Sequence, residues 1–141
     1  MDPQAFSDLT RLSFLDLTNN SVISVESGVF QNLLSLETLL FTSNQLLSVP
    51  YSDNFEYLRK LRRLDLSGNL IKQIENNSFQ LMSQLQTLHL NGNLINGIDV
   101  LAFDGLVQLQ YLDLSDNNLT VSSCPFNLFQ LQSLAHFHLN K

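Results

Sequence analysis

The chain has 141 residues, 44% of them hydrophobic, with 13 acidic against 7 basic side chains and a net charge of −6. That length fits one domain, and the acidic balance excludes a general polyanion binder, because phosphate recognition rests on clustered Lys and Arg. Only Arg59, Lys60, Arg62 and Arg63 cluster, so nucleic acid is not an expected partner.

Residues 61–74, LRRLDLSGNLIKQI, carry the spacing LxxLxLxxNxL, and the rest of the chain copies it every 24 or 25 residues. Five full copies begin at Leu12, Leu36, Leu61, Leu85 and Leu109; a truncated tail precedes the first, and a sixth opens at Leu134. Five matches in register do not arise by chance. In each copy an alternation such as Leu64–Asp65–Leu66 predicts a short strand with two residues on one face and the middle one on the other. No coil buries its apolar set alone, so the copies must stack into one continuous solenoid over 1–141.

In chain order, Asn20, Asn44, Asn69, Asn93 and Asn117 end the strands. The buried corner that follows each strand needs partners for its N–H and C=O groups, and a side-chain amide offers both a donor and an acceptor. The stacked amides are expected to form a structural ladder serving their own coil and the next. Later in each coil stand Phe6, Phe30, Phe55, Phe79 and Phe103, each followed three residues on by Leu9, Leu33, Leu58, Met82 or Leu106. This second column is expected to fill the convex half of the core. It is not a cofactor box, and no cofactor is expected. The second copy carries its extra residue within 50–57, placed on the convex surface, where Pro50 need not donate to a ladder. The fifth copy departs from the pattern. Ser122 stands where Val25, Val49, Ile74 and Ile98 stand, and Leu128 replaces the phenylalanine with Phe126 and Phe129 nearby, so 122–129 should be locally rearranged.

No run is long enough to span a membrane, and residues 1–10 lack the apolar core of a signal peptide, so no direct membrane contact is expected. Neither end resembles a cap, which leads to the expectation of a fragment from a longer array. Cys124 is alone, so it is either a small buried residue or one whose partner lies elsewhere in the parent protein. Three N-x-S/T triplets make Asn19, Asn76 and Asn118 candidate glycosylation sites and support a secreted parent.

The 24-residue unit with its Phe column, and runs such as FLDLTNNSVISVESGVFQNL and YLDLSDNNL, resemble the typical extracellular leucine-rich repeats of Toll-like receptor ectodomains. The resemblance covers nearly the whole chain and is specific for the repeat subclass. Adhesion receptors, proteoglycan cores and the variable lymphocyte receptors of jawless fish use similar units. It implies an α/β solenoid: a curved right-handed superhelix with a concave parallel β-sheet and an irregular or 3-10 convex side. It further implies recognition of a protein or pathogen-derived ligand on the concave or lateral face, in an extracellular, cell-surface or endosomal receptor. The chain lacks a cysteine-rich cap, a transmembrane helix and a signalling domain, so signalling is not expected to reside here.

Corresponding residues of neighbouring strands, about 4.8 Å apart, form columns on the solvent face. One column reads Asp16, Leu40, Asp65, His89, Asp113, His138; beside it runs Phe14, Thr38, Arg63, Thr87, Tyr111, His136; Arg62 belongs to the next. Arg63, His89 and Tyr111 are the expected contacts, with Arg62, Asp65 and Asp113 around them, because Arg and aromatic residues are enriched at interface centres. His89 between Asp65 and Asp113 is expected to have a raised pKa and to act as a pH-sensitive contact. A Ser115–His89–Asp65 triad can be written, but an open sheet offers neither held geometry nor oxyanion donors, so no enzyme is expected. His136 and His138 face the same way without further ligands at matching positions, so no metal site is expected. The alternative to a receptor module is a self-assembling scaffold that pairs chains through open ends or flanks; an intracellular regulatory repeat protein is a third reading.

Overall fold

A computed structural model of the chain describes residues 4–50, 52–120 and 131–139. They form a parallel-strand solenoid. Its main sheet contains β1 (Phe14–Asp16), β2 (Thr38–Leu40), β3 (Arg63–Asp65), β5 (Thr87–His89), β7 (Tyr111–Asp113) and β8 (His136–His138), in that spatial order. Each strand pairs in parallel with the matching residues one coil on, so Leu39, Leu64, Leu88 and Leu112 stack in one line and are fully buried. Beneath the sheet, Phe30, Phe55, Phe79 and Phe103 are buried with Leu33, Leu58, Met82 and Leu106. Phe79 and Phe103 lie nearly parallel at 6.0 Å, and Phe6 stacks on Phe30 at 6.2 Å. Phe41, where other coils carry Leu66, Leu90 and Leu114, tilts against Phe30 at 6.1 Å and joins the strand side of the core to the convex side.

The corner after each strand is closed by asparagine. Asn69 Nδ2 donates to the carbonyls of Phe41, Leu66 and Ser67, and its Oδ1 accepts the N–H of Leu46 at 3.0 Å. Asn44, Asn93 and Asn117 repeat this pattern one coil apart. The amides serve their own coil and the preceding one, not the next. The reason is that the carbonyl three residues before each amide has two lone pairs, and takes the second donor from the coil above: Leu66 O receives both Asn69 and Asn93. The residue before each ladder amide is left-handed throughout, with φ of 53–65° at Asn19, Ser43, Gly68, Gly92 and Asp116. Gly, Asn and Asp tolerate that conformation, which accounts for their recurrence at this position.

On the convex side, among the described residues, turns dominate, with one 3-10 helix, Ser52–Phe55, at the second coil's extra residue. A second, two-stranded parallel sheet, β4 (Gln73–Ile74) and β6 (Gly97–Ile98), was not foreseen from the repeat spacing. Gln73 folds over Gly97 while donating to Asp99 at 2.9 Å, so a Cβ at that position would displace the end of the Gln73 side chain. Ser122, Cys124, Phe126, Leu128 and Phe129, with the rearrangement expected around them, lie outside the described residues.

Asn54, in the 3-10 helix, is only 1% exposed, yet neither atom of its amide has a hydrogen-bond partner. Other copies place Ala5, Val29, Ser78 and Ala102 at this position. A buried amide without partners carries its desolvation cost uncompensated. Asn54→Val is therefore expected to raise stability by about 1–2 kcal/mol in urea denaturation; a loss of stability would show that the amide is satisfied in solution.

Candidate recognition surface on the concave sheet

The strand register places Phe14, Thr38, Arg63, Thr87, Tyr111 and His136 in one outward column, and Asp16, Leu40, Asp65, His89, Asp113 and His138 in the next. Within a strand, residues two apart share a face, so the polar pairs form locally. The exposed Arg63 guanidinium lies 3.4 Å from Asp65 Oδ2, and the Tyr111 hydroxyl donates to Asp113 Oδ2 at 3.4 Å.

Asp65 is not the solvent-facing group expected at an outward position: it is 8% exposed. Its Oδ1 accepts both the N–H and the hydroxyl of Ser67, so the carboxylate caps the turn that leaves the strand. Asp113 does the same with Ser115, whose Oγ donates to it at 2.6 Å. That bond directs Ser115 to Asp113, and the Ser115–His89–Asp65 triad is not assembled. Neither is Arg62 part of the concave group; it is exposed at the strand-entry edge beside Glu37, Arg59, Lys60 and Gln84.

The structure brings together a group that the columns alone did not. The Tyr111 ring is 5.0 Å from His89, 6.2 Å from His136 and 5.3 Å from His138, centroid to centroid. All three histidines of the chain thus converge on one tyrosine. The signal was legible in the register, because β7 lies between β5 and β8 and each flanking strand carries histidine opposite it. Among the described residues, no three or more His, Cys, Asp and Glu side chains are placed to hold a metal ion.

The expected rise in the His89 pKa is reversed. Burial lowers it, the nearby Arg63 charge lowers it further, and together they outweigh the pull of Asp65 and Asp113. Asp65 is already engaged by Ser67 and Arg63. The Nε2 of His89 is buried without a hydrogen-bond partner, so the imidazole gains little from protonation. Burial also raises the Tyr111 pKa, with Asp113 adding to the effect. For Asp113 burial acts upward, but the Ser115 hydroxyl and N–H, with His138 and His89, bring it below the usual value.

Because the folded His89 pKa lies below its unfolded value of 6.5, the unfolded chain takes up the proton first as pH falls. Stability is therefore expected to decline on acidification through 6.5 and to level off below the folded pKa. In His89→Gln this part of the slope should vanish, and the wild-type His89 midpoint in an NMR titration should fall below 6.5. A midpoint above 6.5 would reverse the assignment of burial as the dominant influence.

Asn19, Asn76 and Asn118 are exposed. Asn76 Oδ1 accepts the N–H of Leu101 at 2.9 Å, and its own N–H donates to Asp99.

Six copies of the BspA type leucine-rich repeat region match residues 1–135. This chain belongs to the leucine-rich repeat proteins. Such repeats are generally protein-interaction modules, and no catalytic family is indicated. The array is similar to solved leucine-rich repeat structures. An internalin of Listeria monocytogenes is 28% identical with a TM-score of 0.72, over 97% of this chain and 37% of that one. FLRT2, solved in an octameric complex with Latrophilin 3 and Unc5D, gives 26% and 0.84, over 94% and 41%. Drosophila Toll, solved with Spatzle, gives 21% and 0.88, over 99% and 20%, a likeness of fold alone. The leucine-rich repeat chain thus spans less than half the length of these solved proteins. A comparison with curated proteins finds no match.

Proposed function

We propose that this leucine-rich repeat array is a non-catalytic recognition module of an extracellular receptor of the Toll-like type, binding a protein or pathogen-derived ligand across its concave sheet. The observation that carries the reading is the convergence of His89, His136 and His138 on Tyr111, beside the exposed Arg63. Aromatic rings held on a rigid sheet offer large contact area at small entropic cost, and Arg63 and Asp113 supply directional polar groups at the edge. The extracellular placement is supported by the resemblance of the repeats to the extracellular subclass and by the exposed sequons at Asn19, Asn76 and Asn118. The protein partners in the solved FLRT2 complex support the partner class.

The test is a binding screen of the secreted array against an array of extracellular domains, followed by affinity measurement on the best binder. Tyr111→Ala is expected to weaken binding by about 2 kcal/mol, roughly thirtyfold. Val100→Ala, on the convex side, should leave it unchanged. Equal affinity for both variants would remove the concave sheet as the site, and secretion without glycan at any of the three sequons would remove the support they give to an extracellular parent.

A further inference from the structure

Four of the seven basic side chains, Arg59, Lys60, Arg62 and Arg63, occur within five positions of a chain whose net charge is −6. The repeat does not require them. At the Arg59 position other coils carry Leu34, Ser83 and Val107, so these cations are particular to the third coil's entry. They stand on a fixed backbone: Leu61 N–H closes a turn on Leu58 O, and the N–H groups of Arg62 and Arg63 both donate to Glu37 O, at 2.9 and 3.0 Å. Among the described residues, Arg63 has an ion pair, with Asp65, while the exposed Arg59, Lys60 and Arg62 have none.

Two adjoining depressions meet at this edge. One, of about 180 Å³, is lined by Glu37, Arg59, Lys60, Arg62 and Gln84. The other, of about 570 Å³, shares Arg59 and Gln84 and adds Glu56, Gln80, Leu81 and Ser83. Three cations without carboxylate partners thus border a groove whose wall includes the exposed Leu81 and several amide and hydroxyl groups.

We propose that this lateral edge, distinct from the concave cluster, binds an acidic peptide segment of a protein partner, with carboxylates on Arg59, Lys60 and Arg62 and an apolar side chain against Leu81. The proposal rests on the reading of the array as a protein-recognition module. Guanidinium groups match carboxylates in a fork geometry, and the amides of Gln80 and Gln84 can bond peptide groups. A uniformly charged sulfated polysaccharide suits the groove less well. Glu37 and Glu56 would repel its successive charges, Leu81 would face no apolar group, and the acidic remainder of the chain would oppose a long polyanion.

The experiment follows backbone amides and arginine Nε–Hε signals by NMR while a blocked hexapeptide of alternating glutamate and leucine is added. The glutamine-for-glutamate peptide and a heparin hexasaccharide are compared. Saturable shifts at Arg59 and Arg62 are expected with the glutamate peptide only, weakening with added salt. The double variant Arg59→Glu with Arg62→Glu should lose about tenfold or more in affinity while keeping its amide dispersion. No saturable shift, an equal response to the glutamine peptide, or tighter binding of the hexasaccharide would each overturn the proposal. Shifts confined to His89, Tyr111 and His136 would overturn the lateral site and leave the concave reading standing, so the two can fail separately.

Discussion

Asn69→Ala is expected to destabilise the array by about 3 kcal/mol, lowering the midpoint of thermal unfolding by roughly 10 °C. Asn69 is 3% exposed and makes four hydrogen bonds, two of them to the preceding coil. The loss is unevenly distributed. Phe41 O keeps Asn44, Leu66 O keeps Asn93, and Ser67 O keeps the N–H of Ser43, so these carbonyls retain a partner. Leu46 N–H, by contrast, is left buried with no acceptor at this corner, and that orphaned donor together with the empty amide space accounts for most of the cost. Asn20 is the control. It is exposed and donates to Leu17 O and Thr18 O within its own coil, so Asn20→Ala should cost less than about 1 kcal/mol. Equal effects at the two sites would mean that the link between coils contributes nothing beyond the local turn.

Gly105→Ala should be as damaging, by a different route. Gly105 has φ of 87°, where a side chain is strained, and a Cβ there would overlap the Gln80 carbonyl oxygen and stand 2.8 Å from its carbon. The obstacle is backbone of the preceding coil, so relief requires the two coils to separate. A cost of about 3 kcal/mol is expected in denaturant unfolding. Gly92 provides the contrast. Its φ is 65°, its Cβ would be 3.5 Å from the nearest atom, and Asn19 and Asp116 already occupy the equivalent position. Gly92→Asn should therefore change stability by less than about 1 kcal/mol. If both variants were neutral, the close approach of the fourth coil to the third would be wrong.

Much of this organisation was readable before any coordinates. The interval of 24 or 25 residues fixes which side chains stack, so the burial of Leu64 and Leu88, the Phe79–Phe103 contact and the columns containing Arg63 and Tyr111 follow from spacing. The ladder positions were readable for the same reason, but the direction of their bonds was not. Spacing identifies Asn69 as a corner residue; only the coordinates show that its amide reaches back to Leu46 and Phe41.

The period alone specifies the solenoid, its parallel sheet, the inward leucines and the outward columns. A geometry copied from coil to coil is specified by the period, and the period is visible in one dimension. The tertiary structure decided what depends on particular neighbours. Asp65 turned from a solvent-facing group into a turn cap because Ser67 and Arg63 were within reach. His89 shifted down because desolvation outweighed two carboxylates whose charges were already engaged by other groups. Asn54 is a buried amide without partners because it stands where the repeat carries the apolar Val29 and Ala102, among neighbours that offer it no hydrogen bond. Desolvation and hydrogen-bond competition sum over all contacts at once, and that sum is not carried by spacing.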